Sequence, residues 1–437
     1  MQPCCATGLS CSGAKNNHCY DIKLKKKEVF IMLSESMAAL GTSRSVIREL
    51  FEYGMKRAAV VGAENVFDFS IGNPSVPAPD SVNREAIRLL REEDSVLLHG
   101  YTSAAGDMGV RSALAAAVNR RFQTAYTGDN FYCTMGAAAA LCCCFKALCC
   151  PGDEFVVLAP YFPEYKVFIE GAGGKMAVVP PEIEHFQIDF AALESIINEH
   201  TKAVVVNSPN NPCGVVYSEK TIETLSALLR EKSREYGHPI YIISDEPYRE
   251  IVYDGVNVPY IPRYYPNTLV CYSYSKSLSI PGERLGYVLV PDTADDWQTV
   301  YAAVAGAGRA LGYVNASSLF QRVVAACADD TADLAVYAEN RRILLDGLRS
   351  MGFTCVEPEG TFYIFPRSLE PDDFAFSRRA QAHDLLLVPG SAFGCPGHVR
   401  ISYCVPTERI RRALPVFEKL AAEYLGETAC NRAKPVI

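Results

Sequence analysis

The chain has 437 residues, 49% of them apolar and 21% charged, with a net charge of −8. This balance fits a globular chain of two or three domains, and it argues against a nucleic-acid binder, which needs a basic field to neutralise phosphates. No run reaches the ~18 apolar residues of a membrane helix, and the late basic cluster Lys23, Lys25, Lys26 and Lys27 has the wrong order for a signal peptide, so a cytoplasmic location is expected.

Residues 1–33 show no clear period and read as a poorly ordered extension. Cys4, Cys5, Cys11 and Cys19 match no usual zinc spacing, so no metal is expected. From Ser34 a helical pattern begins, with Ile47, Leu50, Phe51 and Met55 at helical spacing, and it reads as an arm and entry helix. A short strand at 66–71 runs into Gly72, Asn73 and Pro74. Helices follow at 81–91 and 107–122, separated by a turn containing Tyr101 and Gly106.

Phe131–Thr134 reads as a strand, and Gly136, Ala137 and Ala138 open an apolar helix reaching residue 149. Small residues at a strand-to-helix turn let backbone N–H groups and the helix dipole face an anion, so a phosphate is placed here. Cys142, Cys143, Cys144, Cys149 and Cys150 crowd this run and read as small buried hydrophobes in a reducing compartment. A buried strand at 155–158 exits into Tyr161 and Phe162, and another at 203–206 exits through Asn207 into SPNNPCG, which contains Asn211. A helix at 218–236 leads to a strand at 240–244 and then Asp245, Glu246, Pro247 and Tyr248. A carboxylate at a strand's C-terminal end lies in the crevice where open α/β sheets bind ligands.

The stretch LVCYSYSKSLSIPGERLGY, residues 269–287, is the densest in chemistry. An apolar strand at 269–272 delivers one lysine, Lys276, whose amine becomes nucleophilic toward an aldehyde when desolvation lowers its pKa. Ser273, Ser275 and Arg284, with flanking glycines, are what a phosphate dianion needs nearby. Aldehyde plus phosphate describes pyridoxal 5'-phosphate. Helices are expected at 297–311 and, as one long element, at 319–348; strands are expected at 355–365 and 399–403, and a terminal helix at 408–425.

SYSKSLSIPGERLGY resembles the cofactor-lysine signature of fold-type I, class I/II aminotransferases, and the remaining motifs follow in that family's order from about residue 70 to 403. The resemblance implies an α/β fold with a three-layer large domain around a mainly parallel sheet and a smaller α+β domain. It divides the chain into an extension at 1–33, an arm with part of the small domain at 34–79, a large domain at 80–310 and a small domain at 311–437. It implies a transaminase moving an amino group between an L-amino acid and a 2-oxo acid through a pyridoxal phosphate Schiff base on Lys276. Asp245 faces the ring nitrogen; Asn211 and Tyr248 serve the phenolic oxygen; Phe162, with Tyr161 second, stacks on the ring. Gly136, Ala137, Ala138, Ser273, Ser275 and Arg284 hold the phosphate. Tyr101 reaches the phosphate of the other subunit, implying a homodimer. Gly72 lies over the substrate carboxylate, and Arg400, in HVRISYC, grips it through a bidentate fork. Arg309 lies about where aspartate-type relatives carry an arginine that reads the acidic side chain. Ala138 replaces a lysine of some of them.

Two alternatives share the motifs: a carbon–sulfur lyase or cyclopropane-forming synthase on the same fold, and an aminotransferase-like ligand-sensing regulator. The first is disfavoured because Val215, Val216 and Tyr217 follow the Asn-Pro-x-Gly turn where such lyases tend to carry tryptophan. The second is disfavoured because 33 residues are too few for a helix-turn-helix module.

Overall fold

The computed structural model describes residues 34–42 and 45–426. The extension at 1–33, with its four cysteines, and the tail after the last helix lie outside the described residues. The chain divides at Arg44. Before that point lies the helix Glu35–Thr42, none of whose residues is buried. From Ser45 onward the chain forms one compact unit.

In that unit the apolar runs pair into a seven-stranded sheet, in the order Phe131–Thr134, Gly286–Leu289, Thr268–Ser273, Tyr241–Asp245, Thr201–Asn207, Glu154–Leu158 and Lys175–Val179. Gly286–Leu289 runs antiparallel to both its neighbours, and the other pairs are parallel. The central strands are apolar on both faces because both faces are covered. Val157, Val205, Ile243 and Cys271 pack with Leu141 and Phe145. Their alternates Val156, Val204 and Ile242 pack with Ile222, Leu225 and Leu229. The sheet is therefore mainly parallel between helical layers, as the pattern predicts. Cys143 and Cys144 are buried in the first of these cores, but Cys150 is exposed, having left the helix Gly136–Leu148.

A second sheet of three short antiparallel strands, Val388–Pro389, Val399–Ser402 and Tyr363–Ile364, shares a core with Phe67, Phe69 and Val76 and with the helices Ala335–Ser350 and Thr407–Leu425. Two expectations change here. The strand at 355–365 shrinks to Tyr363–Ile364, because Glu359 and Gly360 donate their N–H groups to the Gly214 carbonyl rather than to a strand partner. The long helix at 319–348 is two, Ser318–Ala326 and Ala335–Ser350. The break falls on Asp329, Asp330, Thr331 and Asp333, poor helix formers whose side chains compete for backbone hydrogen bonds. Within it the Ala332 N–H donates to the Ser277 carbonyl at 2.7 Å, tying this segment to the lysine stretch. The first of the two helices buries Val323 and Val324 with Val82, Leu114 and Val270, so it sides with the large sheet.

Candidate active site

The parallel strands end at one edge, and the side chains they release line a cavity of about 350 Å³. It gathers Gly72, Ala137, Ala138, Phe162, Asn211, Asp245, Tyr248, Ser273, Ser275, Lys276, Arg284 and Arg400, residues spread over more than three hundred positions of sequence. Gly136 stands beside it at the start of its helix. Tyr101 and Arg309 are not in the lining; both are exposed, Tyr101 to 92%.

Lys276 sits on the single helical turn Tyr274–Ser277, entered directly from the strand Thr268–Ser273 and capped by the Ser273 hydroxyl. Its amine donates to the Gly72 carbonyl at 2.8 Å and lies 5.5 Å from the Phe362 ring centre. Burial, aided by the positive charges of Arg284 and Arg400, pulls its pKa down to about 8. An amine with that pKa is partly uncharged near neutrality, the form that attacks an aldehyde.

Asp245 ends the strand Tyr241–Asp245 fully enclosed. Its Oδ2 accepts from the Tyr165 hydroxyl at 2.6 Å and more weakly from Asn207 Nδ2 at 3.4 Å. Its Oδ1 is buried without a hydrogen-bond partner. Burial pushes its pKa up to about 7, with Glu246 adding to the rise and the Tyr165 hydrogen bond opposing it. A buried carboxylate oxygen without a partner is costly, and it lines the cavity, so it is set for a donor held there.

The end of the cavity beside Gly136 is built from backbone as much as from side chains. The helix Gly136–Leu148 has no side-chain cap, which leaves its first N–H groups for an anion. Gly136 has φ of +80°, and a Cβ there would lie 2.9 Å from Arg284 Nη2. Arg284 itself is left-handed at φ 55°, a conformation costing a non-glycine residue about 1–3 kcal/mol. That strain aims its guanidinium at the helix start, where Nη1 and Nη2 hold the Pro281 and Met135 carbonyls. The Ser273 and Ser275 hydroxyls, 2.7 Å apart, face the same end.

Arg400, on the strand Val399–Ser402, is buried between the rings of Tyr363 and Phe393, at 4.6 and 4.8 Å from their centres. Nη1 donates to Asn211 Oδ1 at 3.0 Å and Nη2 to the Ser70 carbonyl at 2.5 Å, while Nε has no partner. Gly72 is required for close approach: a Cβ there would stand 1.9 Å from the Tyr363 hydroxyl. That hydroxyl in turn bonds the Tyr248 hydroxyl at 3.0 Å.

Sequence reasoning left three of these neighbours without a role. Tyr165 grips Asp245, Asn207 bonds both the Asp245 carbonyl and the Asn211 N–H, and Tyr363 backs Arg400 and Gly72. Asn207 was the detectable one, being the first polar residue after an all-apolar strand. Tyr165 and Tyr363 look like ordinary core aromatics in sequence.

A mainly parallel sheet between helical layers, with a desolvated lysine and a buried carboxylate at its C-terminal edge, is an α/β fold of the kind expected for fold type I. Comparison with known proteins narrows this. The model of the family "Aminotransferase class I and II" matches residues 64–417. Aspartate aminotransferase of Thermotoga maritima is 31% identical over 366 residues, covering 83% of this chain and 93% of that one. Aspartate/prephenate aminotransferase of Thermus thermophilus is 30% identical over 412 residues, covering 89% and 98%. The crystal structure of an amino transferase from Eubacterium rectale superposes with a TM-score of 0.89 at 58% identity, covering 90% of this chain and all of that one. The chain belongs to the class I and II aminotransferase family, and it is an aminotransferase. The lyase alternative is not favoured by these relatives. Among the described residues no helix is long and apolar enough to cross a membrane, and no group of acidic, histidine or cysteine side chains is arranged to hold a metal.

Proposed function

We propose that this chain exchanges an amino group between an L-amino acid and a 2-oxo acid in the cavity at the sheet edge, with Lys276 as the covalent anchor of pyridoxal 5'-phosphate. The observation that carries the reading is that a lysine with its pKa lowered, a buried carboxylate with an unpartnered oxygen and a buried arginine with an unpartnered Nε share that cavity. When bound, pyridoxal phosphate supplies an electron sink for the charge left on the substrate Cα.

The chain's own residues supply the rest. Asp245 would accept the ring N–H through Oδ1 and keep that nitrogen protonated. Ser273, Ser275, Arg284 and the uncapped amides beginning with Gly136, Ala137 and Ala138 would hold the phosphate. Phe162 would cover the ring face, and Asn211 and Tyr248 would serve the phenolic oxygen. Arg400 would fix the substrate α-carboxylate beside Gly72. The Lys276 amine would carry the proton from Cα, and its position in the cavity would make that transfer effectively intramolecular.

The remaining assignments belong to the same proposal: a homodimer in which the exposed Tyr101 serves the neighbouring site, a cytoplasmic location, and a large domain at 80–310 to which the helix Ser318–Ala326, expected in the small domain, is added, while Phe67, Phe69 and Val76 join the later part of 311–437 in the small-domain core. Because the relatives named above are called aspartate aminotransferase and aspartate/prephenate aminotransferase, aspartate is the first donor to try, and an acid-reading role for Arg309 would be exercised from the neighbouring subunit. Purified holoenzyme mixed with a panel of amino donors should convert to the amine form of its cofactor, seen in absorbance, and a 2-oxo acid should reverse it. Failure of the amine form to accumulate with every donor would overturn transamination here.

Arg400→Lys gives a sharper check. Lysine keeps the charge but loses the planar fork and leaves Asn211 Oδ1 and the Ser70 carbonyl short of donors. One lost charged hydrogen bond is worth about 1.5–3 kcal/mol, so KM for the amino acid should rise about 10- to 100-fold, with a smaller change in kcat. Steady-state kinetics on both half-reactions measures the split.

A further inference from the structure

A second cavity, about 490 Å³, lies behind the active site and shares no residue with it. Ser273, Ser275 and Asp245 line the site already described, whereas Tyr272, Tyr274 and Glu246, each one position away, line the second cavity. Its walls are the rings of Tyr260, Tyr272, Tyr274 and Tyr287, each no more than 6% exposed.

Its charges are arranged with carboxylate in excess. The lining includes Arg120, Arg121 and Arg249 against Glu246, Glu250, Asp329 and Asp330, which leaves one negative charge. Each arginine is committed: Arg120 to Asp329, Arg121 to Glu250 Oε1 and Arg249 to Glu246. Arg249 spends its two remaining nitrogens on the Val258 and Pro259 carbonyls. The acceptors are less fully used. The Glu250 side chain is 6% exposed, and its Oε2 is buried with no hydrogen-bond partner. Asp330, exposed at the rim, has no ion-pair partner among the described residues.

A buried acceptor without a donor costs free energy that a ligand can recover. Aromatic walls stabilise a cation over their faces, and the rings of Phe122 and Tyr260 already flank the Arg249 guanidinium at 5.1 and 5.6 Å. An anion would meet paired arginines and an excess of carboxylate. We propose that this cavity binds a small organic cation bearing N–H donors on an apolar body, with Glu250 Oε2 as its acceptor and the tyrosine rings around its apolar part.

Benzamidine tests this as a probe, since its delocalised amidinium is a poor nucleophile toward an aldehyde and so leaves the cofactor alone. Titrated into the holoenzyme by calorimetry, it should bind once per chain. Glu250→Gln should weaken it about tenfold or more, Asp330→Asn a few-fold, and Arg400→Lys, which alters only the other cavity, not at all. Glu250→Gln also removes the partner of Arg121, so Asp330→Asn decides the matter if the first variant does not fold. No binding by the wild type, equal affinity in both acidic-site variants, or loss of binding in Arg400→Lys would each overturn the proposal.

Discussion

Replacing Lys276 with alanine is expected to lower turnover by about 10²- to 10⁴-fold, the range a positioned general base contributes. The argument begins with where the strand Thr268–Ser273 stops. Its end delivers the amine into a cavity where burial has already drawn the pKa to about 8, and the Gly72 carbonyl fixes its direction. Alanine would remove the proposed covalent anchor and proton carrier together, but it should leave the fold intact. Ser273 still caps the turn, and the Ala332 N–H still holds the Ser277 carbonyl. Two readouts separate loss of chemistry from loss of structure. Borohydride reduction of the wild-type holoenzyme followed by peptide mapping should mark the peptide carrying residue 276, and the variant should show no mark. Added small amines should restore part of the variant's proton transfer, because they supply the missing base without the tether. A variant with wild-type turnover, or a wild-type label on another lysine, would falsify the assignment.

How much of this was readable in advance depends on whether a signal is local. The strand–turn–helix units of the large sheet were legible because short runs of three or four apolar residues bounded by turn formers read as buried strands when helices alternate with them. Lys276, Asp245 and Arg284 stood out for a similar reason: each is a charged group just past a strand end or between glycines. The small sheet was less so. Its pairings Val388 with Arg400 and Ile401 with Ile364 join strands of two to four residues, too short to print a period. Glu359 and Gly360 turn the preceding chain away into loop hydrogen bonds. Tyr165 and Tyr363 escaped because their roles are set by a hydroxyl meeting a group eighty or more positions away in the chain. An aromatic in a core pattern carries no mark of that. The second cavity was invisible for a similar reason: only the fold brings Glu250 and Asp330 beside Tyr272 and Tyr274.

Asp245→Asn should have opposite effects on stability and on activity, and the pH dependence tells why. In the unfolded chain this carboxyl ionises near its ordinary 3.8; in the folded protein burial raises it to about 7. A raised carboxyl pKa means that the folded state holds the proton more tightly. Its stabilising contribution is therefore full below pH 4 and is lost as pH rises toward 7. At about 1.4 kcal/mol per pH unit, the cofactor-free protein loses on the order of 3–4 kcal/mol from this one group across that window. Asparagine does not titrate. The cofactor-free variant should therefore melt near the wild type at pH 4 and above it at pH 8, measured by thermal denaturation at the two pH values. Activity should move the other way. The unpartnered Oδ1 is the acceptor proposed for the ring N–H, and an amide would not hold that nitrogen protonated, so kcat should fall by about 10²- to 10³-fold, the loss typical of removing one preorganised electrostatic partner. The strain at Asp245 and its proposed use are then the same fact: a carboxylate left unpaired in the core costs stability until a cationic ring nitrogen meets it. A variant that is both as active as the wild type and no more stable at pH 8 would break that link.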